Sequence, residues 1–129
     1  MMDMDNKPAV ARGSPIVVPN MGGNFHIQSE HLKIVKENTF DGQLKRDPYK
    51  HVTEFITHCS LFDYGTGTDE GVRLRLFPLS LTGEAHDWLD ELDEGSITTW
   101  EDLRAGFVVR FFPTSLVYRL VTRIRKFEQ

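Results

Sequence analysis

The sequence predicts an all-α protein, a compact bundle of about six short helices that follows a flexible N-terminal arm. Apolar residues recur at intervals of three and four, which is the spacing of one helix face. Prolines, glycines and helix-capping residues separate these segments. No stretch alternates apolar and polar residues as a half-buried strand would. A chain of 129 residues with 40% hydrophobic and 26% charged residues is suited to one soluble domain with a modest core.

Residues 1–24 are expected to form the flexible arm, and residues 25–129 the helical domain. The arm contains three prolines and three glycines but few large apolar side chains. Burial of so little apolar surface does not offset the entropy lost on ordering the backbone. Ile16, Val17 and Val18 are its compact apolar patch and the candidate for docking as an extended strip.

Two helices are predicted in the next part of the chain. Ser29 is a suitable N-cap for a short helix that ends near Asn38. Asp47 followed by Pro48 is a strong start for the second, because proline is favoured at the first helical position. The glycines after Tyr64 should end it. Its apolar stripe is predicted to comprise Val52, Phe55, Ile56, Cys59 and Phe62.

A third helix should begin after Thr68, with Asp69 and Glu70 in the first turn, where the helix dipole favours acids. It should end or kink at Pro78, which lacks the backbone N–H that a helix interior needs. A fourth helix is predicted up to Gly95. Its apolar stripe would comprise Leu81, Ala85, Trp88, Leu89 and Leu92.

The fifth helix has two possible starts. Thr98 with Glu101 matches a capping box, and Thr99 with Asp102 is a competing register. Gly106 lies inside this helix and is predicted to mark close approach of another helix. The predicted buried stripe is Trp100, Leu103, Phe107, Val108 and Phe111.

Phe112 falls about 100° beyond Phe111 around the same helix. It is therefore either packed by the next helix or left as contact surface. Pro113 should end the segment, and Thr114 is a candidate cap for a last amphipathic helix. The apolar side of that helix would comprise Leu116, Val117, Leu120, Val121, Ile124 and Phe127.

The net charge of −4 conceals an uneven distribution. Residues 63–102 hold eleven acids against two arginines, whereas residues 103–129 hold six bases against one acid. Such polarity can orient partners or copies of the same chain; solvated helix faces are the alternative. The candidate acidic assembly face consists of Glu84, Asp87, Asp90 and Glu91. The candidate nucleic-acid or assembly contacts are Arg119, Arg123, Arg125 and Lys126.

The residue pattern offers no catalytic or metal site. The single cysteine, Cys59, lies on a predicted apolar stripe, and the five histidines lack zinc-site spacing. His51 and His58 share a predicted helix face, where two rim histidines are favoured over a metal pair. The glycine-rich turn after Tyr64 lacks the lysine of a phosphate-binding loop. We therefore expect no enzyme activity, no cofactor, no metal and no small-molecule substrate.

The first residues are acidic rather than basic, and no apolar run approaches the length of a membrane span. We therefore expect a cytoplasmic protein without a membrane partner.

The order of apolar and aromatic motifs resembles the retrotransposon Gag domain, and more narrowly that of plant gypsy-type LTR retrotransposons. The resemblance covers roughly residues 24–129 and includes Phe40-Asp41-Gly42 and Asp47-Pro48 upstream. Its later part is the run from Arg73 to Leu81, then Gly95 to Leu103, then Arg110 to Pro113. The motif positions expected to form the family core are Phe77, Trp88, Leu89, Trp100, Leu103, Phe107 and Phe111.

The resemblance implies a non-enzymatic module that self-associates into capsid-like particles and packages element RNA. Family members usually form the front of a longer polyprotein, so the chain is expected to be a fragment or a degenerate copy. Two alternatives stay open. One is weak, non-specific RNA binding through the basic C-terminal helix, and the other is an inactive, monomeric remnant of a decayed element.

Overall fold

The computed structural model describes residues 13–23, 25–43 and 46–112. Its α-helices are α1 (Ser29–Glu37), α2 (Pro48–Cys59), α3 (Asp69–Leu76), α4 (Gly83–Asp90) and α5 (100–112), and a 3₁₀ helix (Phe77–Ser80) directly follows α3. Within these residues there is no sheet, only two isolated parallel bridges, Ile16 with Ile97 and Phe40 with Leu81. The all-α prediction is confirmed. The helix predicted after Thr114 lies outside the described residues.

The α1 helix begins at Ser29, so its N-cap is Gln28 rather than the predicted Ser29. Gln28 caps without a side-chain bond. At the other end, the side-chain amide of Asn38 donates a 2.7 Å hydrogen bond to the carbonyl of Ile34. That bond satisfies a carbonyl the helix leaves unpaired, and so accounts for the predicted end near Asn38.

The α2 helix starts as predicted but ends earlier. The carboxylate of Asp47 accepts a 2.9 Å hydrogen bond from the Tyr49 N–H, and Pro48 occupies the first turn. The helix ends at Cys59, where the Ser60 hydroxyl donates to the carbonyl of Thr57 at 2.6 Å. Phe62, predicted on the helical stripe, therefore lies in the loop. Its ring stacks on that of His31 with a centroid separation of 4.4 Å.

Proline at position 78 changes the helix type. The chain leaves α3 and continues as the 3₁₀ helix, in agreement with the predicted end or kink at Pro78. After the 3₁₀ helix, Leu81 forms the isolated parallel bridge with Phe40. The N–H of Phe40 donates to the Ser80 carbonyl at 2.8 Å, and the N–H of Thr82 donates to the Phe40 carbonyl at 2.9 Å. This bridge holds the loop before α2 against the start of α4.

The α5 helix uses the Thr99 register. The N–H of Asp102 donates to the Thr99 hydroxyl at 3.1 Å. A second cap comes from α3, because the carboxylate of Glu70 accepts a 2.8 Å hydrogen bond from the Trp100 N–H. Along the helix, a Cβ at Gly106 would lie 3.6 Å from the indole of Trp88. This is an ordinary van der Waals distance to a side chain of α4, so the close approach of another helix predicted at Gly106 is not seen among the described residues.

Aromatic rings fill the centre of the molecule. The ring of Phe77, in the 3₁₀ helix, is fully buried and meets three others edge-on. The centroid separations are 5.1 Å to Phe55, 5.4 Å to Trp100 and 5.1 Å to Phe107. Phe40 adds an edge-on contact to Phe107 at 5.0 Å. One aromatic cluster thus joins α2, the 3₁₀ helix, α5 and the loop before α2.

Candidate assembly surface

The candidate acidic face lies on the outer side of α4. Its inner side is anchored by Ala85 and Leu89, both buried. Glu84, Asp87 and Asp90 are exposed, and so is Glu91, the C-cap residue. Helical geometry forces this separation, because residues that share a face lie three or four positions apart. The four acids predicted for this face are therefore all at the surface.

Two of these four acids have ion-pair partners. Glu84 pairs with Arg110 of α5 at 3.1 Å, and Asp90 lies 3.1 Å from the Nδ1 atom of His86, a contact that is an ion pair only with a protonated ring. The guanidinium of Arg110 also lies over the Phe111 ring, 4.7 Å from its centroid. Among the described residues, Asp87 and Glu91 have no ion-pair partner. The face therefore keeps uncompensated negative charge at its centre and at its C-terminal edge.

The candidate basic contacts, Arg119, Arg123, Arg125 and Lys126, lie outside the described residues. Two other bases of the same charge block, Arg104 and Arg110, are described. Arg104 forms a two-point ion pair with Glu101 on the same helix. This hydrogen bonding lowers the pKa of the Glu101 carboxyl and raises that of the Arg104 guanidinium. Both described bases of the block are thus engaged within the chain.

The family-motif residues face the interior. Phe77, Leu89, Trp100, Leu103, Phe107 and Phe111 are buried, and Trp88 is half-buried. Buried side chains act on packing rather than on contact with another molecule, so any assembly surface must use other residues.

An exposed apolar surface lies on the outer side of α5. Val109 is 72% exposed and Tyr49 of α2 is 49% exposed. The half-buried ring of Phe112 packs edge-on against Tyr49 at 5.1 Å. Phe112 is therefore partly covered by α2. The residue pattern indicated only Phe112 of this surface, because Tyr49 and Val109 lie off the predicted stripes of their helices.

Cys59 and His51 are both buried. Burial raises the pKa of the Cys59 thiol to about 11, so the nucleophilic thiolate is suppressed. The prediction that His51 is a rim histidine is wrong: its ring is buried among Phe40, Phe77 and Phe107. Its Nε2 atom lies 3.0 Å from the Ser80 hydroxyl.

The described part of the chain contains no group of three or more His, Cys, Asp or Glu side chains that could hold a metal ion. Nor does any helix in the described ranges have both the length and the apolar character to cross a bilayer.

The described residues form an all-helical domain with a buried aromatic core and a charged outer helix. Residues 29–112 match the family described as the retrotransposon-derived protein PEG10, N-terminal capsid-like domain. The match covers more than half of the chain, and it begins at α1 and ends with the described part of α5. The chain therefore belongs to this family of retrotransposon-derived, capsid-like domains. No curated protein and no solved structure matches the chain.

Proposed function

We propose that the chain is a non-enzymatic structural module of a retrotransposon Gag protein that self-associates into capsid-like particles. The observation that carries this proposal is the match to a capsid-like domain across residues 29–112. The order of the motifs in the sequence further supports an origin in gypsy-type LTR retrotransposons of plants. Self-association requires neither a pocket nor a nucleophile, and it is therefore compatible with the features of this domain.

The acidic face of α4 is proposed as one half of an electrostatic contact between copies. Asp87 and Glu91 point outward without an ion-pair partner among the described residues. The bases after position 113 carry the opposite charge and would form the other half of the contact. Complementary charged surfaces accelerate encounter and fix orientation, and salt screens them.

Sedimentation at several salt concentrations tests this contact. The variant Asp87→Asn, Asp90→Asn, Glu91→Gln should weaken association roughly tenfold at low salt, because each exposed pair contributes about 0.2–1 kcal/mol. It should also flatten the salt dependence. The matched control, Glu30→Gln, Glu37→Gln, Glu54→Gln, removes three exposed acids from α1 and α2 and should leave association unchanged.

Equal association of both variants, or association that ignores salt, would overturn the electrostatic contact. If the chain stays monomeric at every concentration, the result would instead favour the alternative that it is an inactive remnant of a decayed element.

Packaging of element RNA is the second part of the proposal. The bases Arg119, Arg123, Arg125 and Lys126 would contact phosphates without sequence preference. If all four do so, the logarithm of the affinity for single-stranded RNA should fall with the logarithm of salt concentration at a slope of about −3. Replacing all four with glutamine should abolish this slope in a filter-binding titration. Binding that persists unchanged in that variant would count against an RNA role for these residues.

A further inference from the structure

Residues 14–21, which we name the strap, lie extended across the body of the domain. Backbone hydrogen bonds hold one end of the strap. The Val17 N–H donates to the Ile97 carbonyl at 2.9 Å, and the Ile97 N–H donates to the Pro15 carbonyl at 2.9 Å. The Gly95 N–H also donates to the Ser14 carbonyl at 3.1 Å. The strap is therefore joined by one isolated parallel bridge and its flanking hydrogen bonds to the loop between α4 and α5.

Side chains anchor the strap along its length. Ile16 is 8% exposed and its bridge partner Ile97 is 6% exposed, so this pair is part of the core. Further along, Val18 and Met21 pack partly buried against the core. The Met21 sulfur sits so close to Gly71 of α3 that a Cβ at Gly71 would clash with it. The surface formed by Ile97 and Gly71, which we name the groove, thus fits the strap closely, and both residues lie far from the strap in sequence.

A glycine turn joins the strap to the body. Gly22 has a φ of +100° and is followed by Gly23, and the Phe25 N–H donates a 3.3 Å hydrogen bond to the Gly22 carbonyl. A Cβ at Gly22 would meet no atom of the described residues within 4 Å, so backbone conformation rather than space favours glycine there. This turn is what directs the strap back onto its own domain.

We propose that copies of this chain exchange straps, each strap docking in the groove of a neighbouring copy. The groove already accommodates this segment, and the same segment of a second copy would make the same hydrogen bonds and side-chain contacts. The closed and exchanged forms then differ chiefly in the glycine turn and in the entropy of association. The inference rests on the proposed self-association, because crowding of copies in an assembly raises the effective concentration of straps.

Straining the turn tests the exchange. In Gly22→Val, a β-branched residue must adopt a positive φ, which disfavours the closed turn. The variant should form dimers whose apparent dissociation constant, measured by sedimentation, is roughly tenfold lower than that of the unmodified chain. Gly65→Val is the matched control, since Gly65 has a φ of +107° and equally open surroundings but lies in the loop after α2. It should not change the dissociation constant.

Disulfide trapping between copies gives a second readout. Both copies carry Cys59→Ala; one carries Val17→Cys and a tag, and the other carries Thr98→Cys. Both positions are exposed, and each is one residue beyond the bridged pair Ile16 and Ile97. Oxidation after mixing should give a tagged heterodimer, whereas Val17→Cys mixed with Leu61→Cys should give only background.

Exchange is overturned if Gly22→Val behaves like Gly65→Val and the trapped heterodimer does not exceed background. A third variant, Ile16→Asp, prevents docking in either form. Association that is unchanged in Ile16→Asp removes strap exchange while the proposed assembly function stands. The absence of association in every variant and in the unmodified chain removes both.

Discussion

The hydrogen bonds of Ser80 determine the tautomer of the neutral His51 ring. The Ser80 hydroxyl donates to the Phe77 carbonyl at 2.6 Å, so its oxygen accepts from the Nε2–H of His51. This places the proton of the neutral ring on Nε2. Burial, followed by the charges of Arg46 and His58, lowers the pKa of His51 to about 4.

Acid should therefore destabilise the fold through His51. The ordinary pKa of 6.5 applies in the unfolded chain and about 4 in the fold. The unfolded state then binds the proton more tightly, so this contribution to stability is complete above pH 6.5 and is lost as the pH falls towards 4. We expect a loss of about 3 kcal/mol in the free energy of unfolding, measured by urea denaturation across this range.

The variant His51→Gln separates this effect from the titration of carboxylates, because the glutamine amide can still donate a hydrogen bond to Ser80. Its stability should fall less steeply between pH 6.5 and 4 than that of the unmodified chain. His86→Gln, on the exposed side of α4, should retain the full dependence. Identical pH profiles for all three chains would contradict the assignment to His51.

His31 is a second buried histidine, and no residue pattern in the sequence predicted its burial. The Tyr64 hydroxyl accepts a 3.0 Å hydrogen bond from the Gln28 N–H and lies 3.0 Å from Nδ1 of His31. The Nε2 atom of His31 is buried and has no hydrogen-bond partner among the described residues. Burial and the nearby His58 lower the pKa of His31, so its protonation also opposes folding at acid pH.

At the scale of elements, the N-terminus of α5 is capped partly by a residue of another helix. Thr99 caps it locally, and Glu70 of α3 accepts a hydrogen bond from the Trp100 N–H. The negative charge of Glu70 also lies at the N-terminus of α5, where the helix dipole favours it. The guanidinium of Arg73 adds a contact over the Trp100 ring, 5.9 Å from its centroid. These contacts lock α3 to the start of α5.

Removing this cap should destabilise the domain. Glu70→Ala leaves the Trp100 N–H without its acceptor and should lower the free energy of unfolding by about 1–2 kcal/mol in chemical denaturation. Asp69→Ala is the matched control, because it removes an acid from the same first turn of α3 and should cost a few tenths of a kcal/mol. Equal losses in the two variants would show that the dipole of α3, rather than the cap on α5, explains the effect.

The sequence was most informative where a helix end depends on adjacent residues. Asp47 and Pro48 fixed the start of α2, and Pro78 fixed the change from α3 to a 3₁₀ helix. The sequence was least informative where two neighbouring residues could each cap the same helix. The choice of Thr99 over Thr98 at the start of α5 coincides with the position that lets Trp100 reach Glu70, a residue 30 positions away.

At the scale of the whole molecule, Phe77 packs at the point where α2, the 3₁₀ helix and α5 meet. Its ring contacts aromatic rings from α2 and α5, so one side chain connects segments that are distant in sequence. Phe77→Ala should lower the free energy of unfolding by about 3–5 kcal/mol, a large share of the 5–15 kcal/mol typical of a domain. Tryptophan fluorescence during denaturation measures this, because Trp100 lies against the Phe77 ring.

Two further variants distinguish packing from a general intolerance of substitution. Phe77→Leu keeps most of the volume and should lose less stability than Phe77→Ala. Leu79→Ala, in the same 3₁₀ helix but 41% exposed, should change stability by less than about 1 kcal/mol. A loss in Leu79→Ala as large as that in Phe77→Ala would contradict the central role of Phe77.

The sequence by itself determined the fold class, most of the apolar stripes and the starts of α2 and α3, because helical periodicity and capping depend on residues within one or two turns. The tertiary structure decided the burial of His31 and His51, the Glu70 cap on α5, the contact of Phe112 with Tyr49 and the docking of the strap beside Ile97. Each of these joins side chains or backbone groups far apart in the chain. Their meeting depends on how the helices pack, which no local pattern of residues specifies.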